Sequence, residues 1–257
     1  MRAIILAAGM GKRMQHLTQK CPKGMIKLLG KPLLNRQIDA LKKENISDIV
    51  LVGGYCAENL KKLGLPIVIN NRYKHTNMVF TLFCAKGYME QGIDLIISYG
   101  DIVYETRVLK ALLACKAPIS VVVDRAWRAY WELRMDNPLV DAETLKLVDS
   151  NRIIELGKKA LRYEDIQGQY IGLIKVSGSY IGSFQEAWNN IDQNLKYDGE
   201  IFEQMYMTSF INYLIELNWE VRAAFTHNGW LEVDTLSDLS LYERLHREDK
   251  LKYYYQI

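Results

Sequence analysis

Short apolar runs alternate with stretches of helical spacing through the first half of the chain. "AIIL" (residues 3–6) is a continuous apolar run of strand length. "PLLNRQIDALKKEN" (32–45) sets Leu34, Ile38 and Leu41 at helical spacing behind Pro32, which predicts a helix. "DIVLVGG" (48–54) and "PIVIN" (66–70) read as strands, and "MVFTLFCAKGYM" (78–89) as a helix. "DLIISYGD" (94–101) is a strand ending in an acid, "ETRVLKALLACK" (105–116) a helix, and "ISVVVD" (119–124) a strand. Strands that lack polar alternation are buried on both faces. The pattern therefore predicts a mostly parallel sheet covered by helices on both sides.

After residue 140 the pattern changes. "ETLKLV", "RIIELG" and "YIGLIKVS" predict antiparallel strands added at an edge. Helical stretches follow at 180–193 and 200–217, then strands "WEVRAAF" and "WLEVD", then a closing helix "LSDLSLYERLH". No repeat, low-complexity stretch or linker interrupts the chain. The expected fold is a single α/β unit over residues 1–257. It is a Rossmann-like, mostly parallel mixed sheet flanked by helices, with an antiparallel extension; residues 1–135 form one part and 136–257 the other.

The 257 residues are 49% apolar, enough for a sizeable core, and the formal net charge of +3 is too small to argue for nucleic acid or a membrane as partner. The charge is unevenly placed, however. Residues 1–43 hold ten Lys or Arg and a single acid, Asp39, while the remainder holds 23 basic and 29 acidic residues. A basic segment in an otherwise acidic chain suggests a local anionic ligand or a solvated basic face. Cys21, Cys56, Cys84 and Cys115 form no CxxC pair, which argues against a zinc site or a disulfide scaffold and fits reduced, cytoplasmic thiols. No apolar run approaches the ~20 residues of a membrane span. "AIILAAG" is too short for a signal-peptide core, and cations follow rather than precede it.

The first strand leaves through "AAGMGKRM", at the sheet edge where open α/β folds bind ligands. Glycines let a backbone approach phosphate oxygens closely. The Walker pattern is absent, because Arg13 follows Lys12 and the glycine spacing differs. The dinucleotide fingerprint also fails: Met14 stands where a third glycine is needed, and the second strand ends Gly53-Gly54-Tyr55 without a ribose-binding acid. Lys12, Arg13 and Lys23 together suit a triphosphate; a plain tight turn with surface cations is the alternative.

"LAAGMGKRM…T…CPKGMIKLLGKPLL" resembles the signature LxAAGxGxRxxPLTxxxPKxxxxxxGKPLL of the nucleotidyltransferases that make NDP-sugars and CDP-alcohols. Leu6, Ala7, Ala8, Gly9, Gly11, Arg13, Leu17, Thr18, Pro22, Lys23, Gly30, Lys31 and Pro32 match in order; His16 departs, standing where the family usually has proline. "TNMVFTLF", "SYGDIVYE", "ELGKKA", "GQYIGL" and "WLEVD" resemble the phosphocholine cytidylyltransferase branch. "NPLVDAETLKL" and "MYMTSF" point to the subgroup acting on L-glutamine phosphate for capsular phosphoramidate.

The resemblance implies transfer of CMP from CTP to the phosphate of a small metabolite, with release of pyrophosphate. L-glutamine phosphate is the first choice of acceptor; phosphocholine and 2-aminoethylphosphonate are the alternatives. It implies Mg2+ (or Mn2+) held by Asp101 and Asp234, with Glu232 as a third ligand. Without the resemblance Asp101 reads rather as a turn or cap residue, and Asp234 as a helix N-cap before "TLSDL". Lys23 is implied at the α-phosphate, and Lys12 and Arg13 at the β- and γ-phosphates. Leu6, Ala7, Ala8, Gly9 and Gly11 would cradle the nucleotide, with Gly54, Tyr55 and Asn77 near the base; Asn77 reads also as a helix N-cap. Lys158 and Lys159 occupy the place of the family's acceptor-phosphate lysine. "DRAWRAYWELR" offers Trp127, Tyr130 and Trp131 as an aromatic cage or as core packing. Arg125, Arg128 and Arg134 would suit an acceptor carboxylate or simply a charged helix surface. A nucleotide-binding regulatory module without catalysis is the rival from another class.

Overall fold

The computed structural model describes residues 1–257. β1 (Arg2–Ala7) runs into a 3₁₀ segment, then a small hairpin of β2 (Lys27–Leu28) and β3 (Lys31–Pro32). Pro32 caps α1 (Leu33–Lys43), where its missing N–H costs nothing. β4 (Ile49–Gly53), β5 (Ile67–Ile69), α2 (Met78–Cys84), β6 (Leu95–Tyr99), β7 (Ile102–Tyr104), α3 (Thr106–Ala114), β8 (Ile119–Asp124) and α4 (Trp127–Arg134) follow. The second part adds β9 (Glu143–Val148), β10 (Arg152–Lys159), β11 (Gln169–Val176) and α5 (Ile181–Asn190). It continues with β12 (Lys196–Tyr197), β13 (Glu200–Ile201), α6 (Met207–Glu216), β14 (Val221–Thr226), β15 (Trp230–Glu232) and α7 (Leu236–Arg247). No helix is long and apolar enough to cross a membrane.

Nine strands form one sheet in the order β5-β4-β1-β6-β11-β8-β14-β10-β9. β1 pairs in parallel with β4 and β6, and β8 in parallel with β14. Its two faces bury separate apolar clusters. One gathers Ile5, Leu34, Leu41 and Trp230; the other gathers Ile4, Val79, Leu82 and Phe210. Alternate residues of β1 thus serve opposite layers.

Two expectations need correction. β11 is not an edge addition: it lies at the centre, antiparallel to both β6 and β8, and only β9 and β10 extend the edge. The stretch 200–217 is not one helix. Residues 198 and 199 adopt positive φ at the tip of the β12–β13 hairpin, as an Asp-Gly turn does, and α6 starts only at Met207.

Candidate active site

The carboxyl ends of β1, β4 and β6 lie side by side, and the loops leaving them build the site. Gly11 has φ +60°, and a Cβ there would meet Lys23 Cβ at 2.9 Å. Glycine is needed at that position for both reasons. Thr18 Oγ1 donates to the Gly11 carbonyl at 2.9 Å and closes the loop on itself. Gly9 differs, since a Cβ there would meet no protein atom within 4 Å.

Lys23 reaches back from this loop to two carboxylates. Its Nζ donates to Asp101 Oδ2 at 2.8 Å and to Asp234 Oδ1 at 2.5 Å, and its side chain is only 12% exposed. Burial works against the ammonium charge. Asp101, Asp234 and Glu232 outweigh burial and hold Lys23 above the ordinary lysine range. Arg13 Nη1 lies 2.5 Å from Asp234 Oδ2 on the solvent side. Lys12 is exposed beside it.

Each acid is placed by the fold. Buried Gln37 of α1 donates Nε2 to the carbonyls of Tyr99 (2.9 Å) and Ile102 (2.7 Å), which fixes the turn carrying Asp101. β15 pairs with β7, and Val233 N donates to the Asp101 carbonyl at 2.9 Å, which brings Asp234 alongside. Asp101 Oδ1 is buried and has no hydrogen-bond partner. A buried, unpaired carboxylate oxygen beside a second carboxylate fits a divalent cation that takes its other ligands from phosphate and water. Glu232 does not complete a three-carboxylate cluster: Arg134 holds its Oε2 at 2.8 Å, and no three acids, histidines or cysteines converge on a metal-sized point.

Two cavities adjoin here, sharing Met78 and Tyr99 in their walls. The first, ≈ 180 Å³, is lined by Leu6, Ala7, Ala8, Gly9, Lys23, Asn77 and Asp101 among others. It gathers most of the residues expected around a nucleotide. Tyr73, Thr76 and Thr81 also line it; Tyr73 had no signal in the sequence, and Thr76 and Thr81 lie in the resembling stretch "TNMVFTLF" without being singled out. Buried Asn70 ties Thr76 and Thr81 together, with Nδ2 at 2.9 and 3.0 Å from their hydroxyls. Asn77 lines the cavity and also caps α2, accepting from Met78 N at 2.9 Å. Gly54 and Tyr55 stand behind the loop, where Tyr55 N donates to the Ala8 carbonyl at 3.1 Å.

The second cavity, ≈ 190 Å³, is lined by Trp131, Trp230, Tyr170, Asp141, Glu143 and Glu232 together with other residues, none of them Lys or Arg. Glu143 is reached by solvent through the cleft, yet protein surrounds its carboxyl. Desolvation, then Asp141, Glu232 and Asp198, push it up to about 7.

The remaining expected acceptor residues lie elsewhere. Trp127 is buried among Trp131 and Tyr163 and lines neither cavity, and Tyr130 is core, so no three-ring cage forms. Arg125 packs over Phe225, Arg128 pairs with Glu132, and Arg134 pairs with Glu232 and Asp238; none faces the cavity. Lys158 and Lys159 are exposed on β10 and line neither cavity, Lys158 being 3.1 Å from Glu155.

The MobA-like NTP transferase domain model matches residues 3–139. The chain is 43% identical over 250 residues to CTP:phosphoglutamine cytidylyltransferase of Campylobacter jejuni, covering 94% of this chain and 98% of that one. It is 38% identical over 90 residues to choline-phosphate cytidylyltransferase of Streptococcus pneumoniae, covering 34% of this chain and 39% of that one. Among solved structures, the inositol-1-phosphate CTP transferase from T. maritima superposes with TM-score 0.71 at 20% identity, covering 100% of this chain and 98% of that one. The CTP:phosphocholine cytidylyltransferase from Streptococcus pneumoniae superposes with TM-score 0.68 at 20% identity, covering 97% and 99%. A family match over more than half the chain, with a relative 43% identical along nearly its whole length, settles the assignment: the chain belongs to the MobA-like NTP transferase domain family and is a nucleotidyltransferase.

Proposed function

We propose that this enzyme transfers CMP from CTP to the phosphate of L-glutamine phosphate, releasing pyrophosphate and leaving a CDP-linked product. The observation that carries this reading is the Lys23 ammonium, held between Asp101 and Asp234 at the wall of the first cavity, which adjoins the second at Met78 and Tyr99. The full-length relative acts, by its name, on phosphoglutamine. We place the reaction in the cytoplasm, as a step towards capsular phosphoramidate.

An acceptor phosphate oxygen attacks the α-phosphorus in line. A P–O bond forms there as the bond to the bridging oxygen of pyrophosphate breaks. The nucleophile is already ionised near neutral pH, so no general base is required, and catalysis rests on positioning and charge neutralisation. Lys23 meets the charge gathering on the α-phosphate. Arg13 and Lys12 offset that of the departing pyrophosphate. Asp101 and Asp234 would hold Mg2+, which supplies Lewis-acid charge at the phosphates when bound. The strand ends at Leu6, Ala7 and Ala8 present bare backbone to the nucleotide.

The acidic and aromatic lining of the second cavity supports an acceptor whose far end is cationic. Glutamine phosphate carries an ammonium group beside a carboxylate, for which this cavity offers no cation; 2-aminoethylphosphonate carries an ammonium alone, and phosphocholine a quaternary one. These two are the second reading. Pyrophosphate release measured with each NTP across the three acceptors tests the proposal. The highest kcat/KM is expected for CTP with L-glutamine phosphate, and no turnover with any pair by the folded protein refutes it.

A further inference from the structure

Arg134 closes α4 and is nearly excluded from water, its side chain 5% exposed. Its Nε donates to Asp238 Oδ1 at 2.9 Å, its Nη2 to Asp238 Oδ2 at 3.3 Å, and its Nη1 to Glu232 Oε2 at 2.8 Å. The rings of Tyr130 and Trp131 lie against it, 5.4 and 5.8 Å from the guanidinium carbon. The far side of Asp238 continues the chain of contacts. Oδ2 accepts from Asp234 N at 3.1 Å, Thr235 N at 2.8 Å and Thr235 Oγ1 at 3.0 Å. One guanidinium therefore grips residue 232 directly and, through one carboxylate, the backbone of residues 234 and 235.

This arrangement is more than a way to hold a helix against a strand. A buried ion pair is a poor device for that, since well-packed apolar residues do it as well or better. A planar fork with fixed donors instead sets direction, which a point charge cannot do. What it directs is the segment that carries Asp234 to Asp101. Its neighbours Trp131 and Glu232 are also walls of the second cavity. Arg134 itself lines neither cavity and touches no substrate.

We infer that Arg134 is a positioning residue: through Asp238 and Glu232 it holds the Asp234 carboxylate in register with Asp101, and so ties the acceptor-side wall to the cation-holding pair. The inference rests on Asp101 and Asp234 holding a divalent cation. Arg134→Lys keeps the charge and loses the fork; Asp238→Asn keeps the shape and loses the charged acceptor.

The test is Mn2+ binding to the intact protein, read from the electron paramagnetic resonance signal of free Mn2+, alongside steady-state kinetics. Both variants should weaken Mn2+ binding roughly 10–100-fold, as loss of an outer hydrogen-bond partner does. The kcat should fall with it, and the nucleotide KM should stay within about twofold, because these contacts lie away from the first cavity. Should Arg134→Lys fail to fold, Asp238→Asn decides alone. Asp234→Asn separates the two levels of the argument. If it leaves Mn2+ binding unchanged, the cation reading itself fails. If it weakens Mn2+ while the other two variants lose only thermal stability, Arg134 is structural and the inference falls.

Discussion

Lys23→Met removes one charge and keeps most of the stem. In the wild type, Asp101 and Asp234 share the ammonium, at 2.8 and 2.5 Å. Oxygens bound to one nitrogen lie about 5 Å apart at most, and two negative charges at that distance repel by about 3 kcal/mol at an effective dielectric near 20. Asp101 is 26% exposed, so solvent relieves part of this. About 1–3 kcal/mol remains, or roughly 3–10 °C in Tm for a protein of this size. Two carboxylates freed of their ammonium should then take up a divalent cation more readily. Melting curves with and without 10 mM-scale Mg2+, set about that high to saturate a site of one or two carboxylates, should recover more of the lost Tm in the variant than they add to the wild type. Turnover should not recover with it, because in the proposed mechanism Lys23 also meets the α-phosphate; kcat for pyrophosphate release should drop about 10²–10³-fold. A folded variant with near-wild-type kcat removes Lys23 from the chemistry. A Tm loss that Mg2+ leaves untouched refutes the pairing of Asp101 with Asp234 as a cation-holding site.

Gly9→Val adds side-chain atoms where the protein has none within 4 Å of a Cβ. Tm should change little while the CTP KM rises at least about tenfold, since the added atoms occupy ligand space; an unchanged KM moves the nucleotide elsewhere. Gly11→Ala meets both a positive φ and Lys23, and should cost about 1–3 kcal/mol, visible in urea unfolding, as well as turnover. Glu143 folds with its carboxyl pushed up to about 7 from an ordinary 4.5, so its protonated form is the favoured one. Its contribution to stability is complete below pH 4.5 and fades as pH rises through 7. Glu143→Gln should therefore melt higher than wild type at pH 8 and not at pH 4.5; the reverse order contradicts the crowding of acids in that cavity.

Most strands of the first half were legible because two-sided burial leaves no polar alternation. β11 shows where that reading stopped. Its Lys175 looks like the outward residue of an edge strand, yet it is buried, and its ammonium reaches the Leu113 carbonyl at 3.2 Å and that of Cys115, at the end of α3. A lysine stem lies along apolar surface while its head satisfies a helix terminus, and no local pattern announces this. The glycine loop and its place at the carboxyl ends of the strands were legible because its residues are consecutive: backbone, glycine and cations in one run. Glu232 and Arg134 were assigned separately, to metal and to acceptor; pairing them required knowing that the end of α4 lies against β15. Tyr73 and Thr76 sit in an irregular segment where no periodicity exists to read.

The central place of β11 bears on how the chain reaches this fold. β6 and β8 are complete by residue 124, but the strand that joins them ends at residue 176, and β14, which pairs β8 on its other side, ends at residue 226. During synthesis both strands wait with open edges, and the pairings that close the sheet span long stretches of chain. Such topology folds slowly and exposes sticky edges meanwhile. A fragment ending near residue 135 would contain the whole glycine loop, Lys23 and Asp101, yet lack Asp234 and the strand that joins β8 to the β5-β4-β1-β6 sheet. Expressed alone it should aggregate rather than bind nucleotide, and the two halves should refold only together.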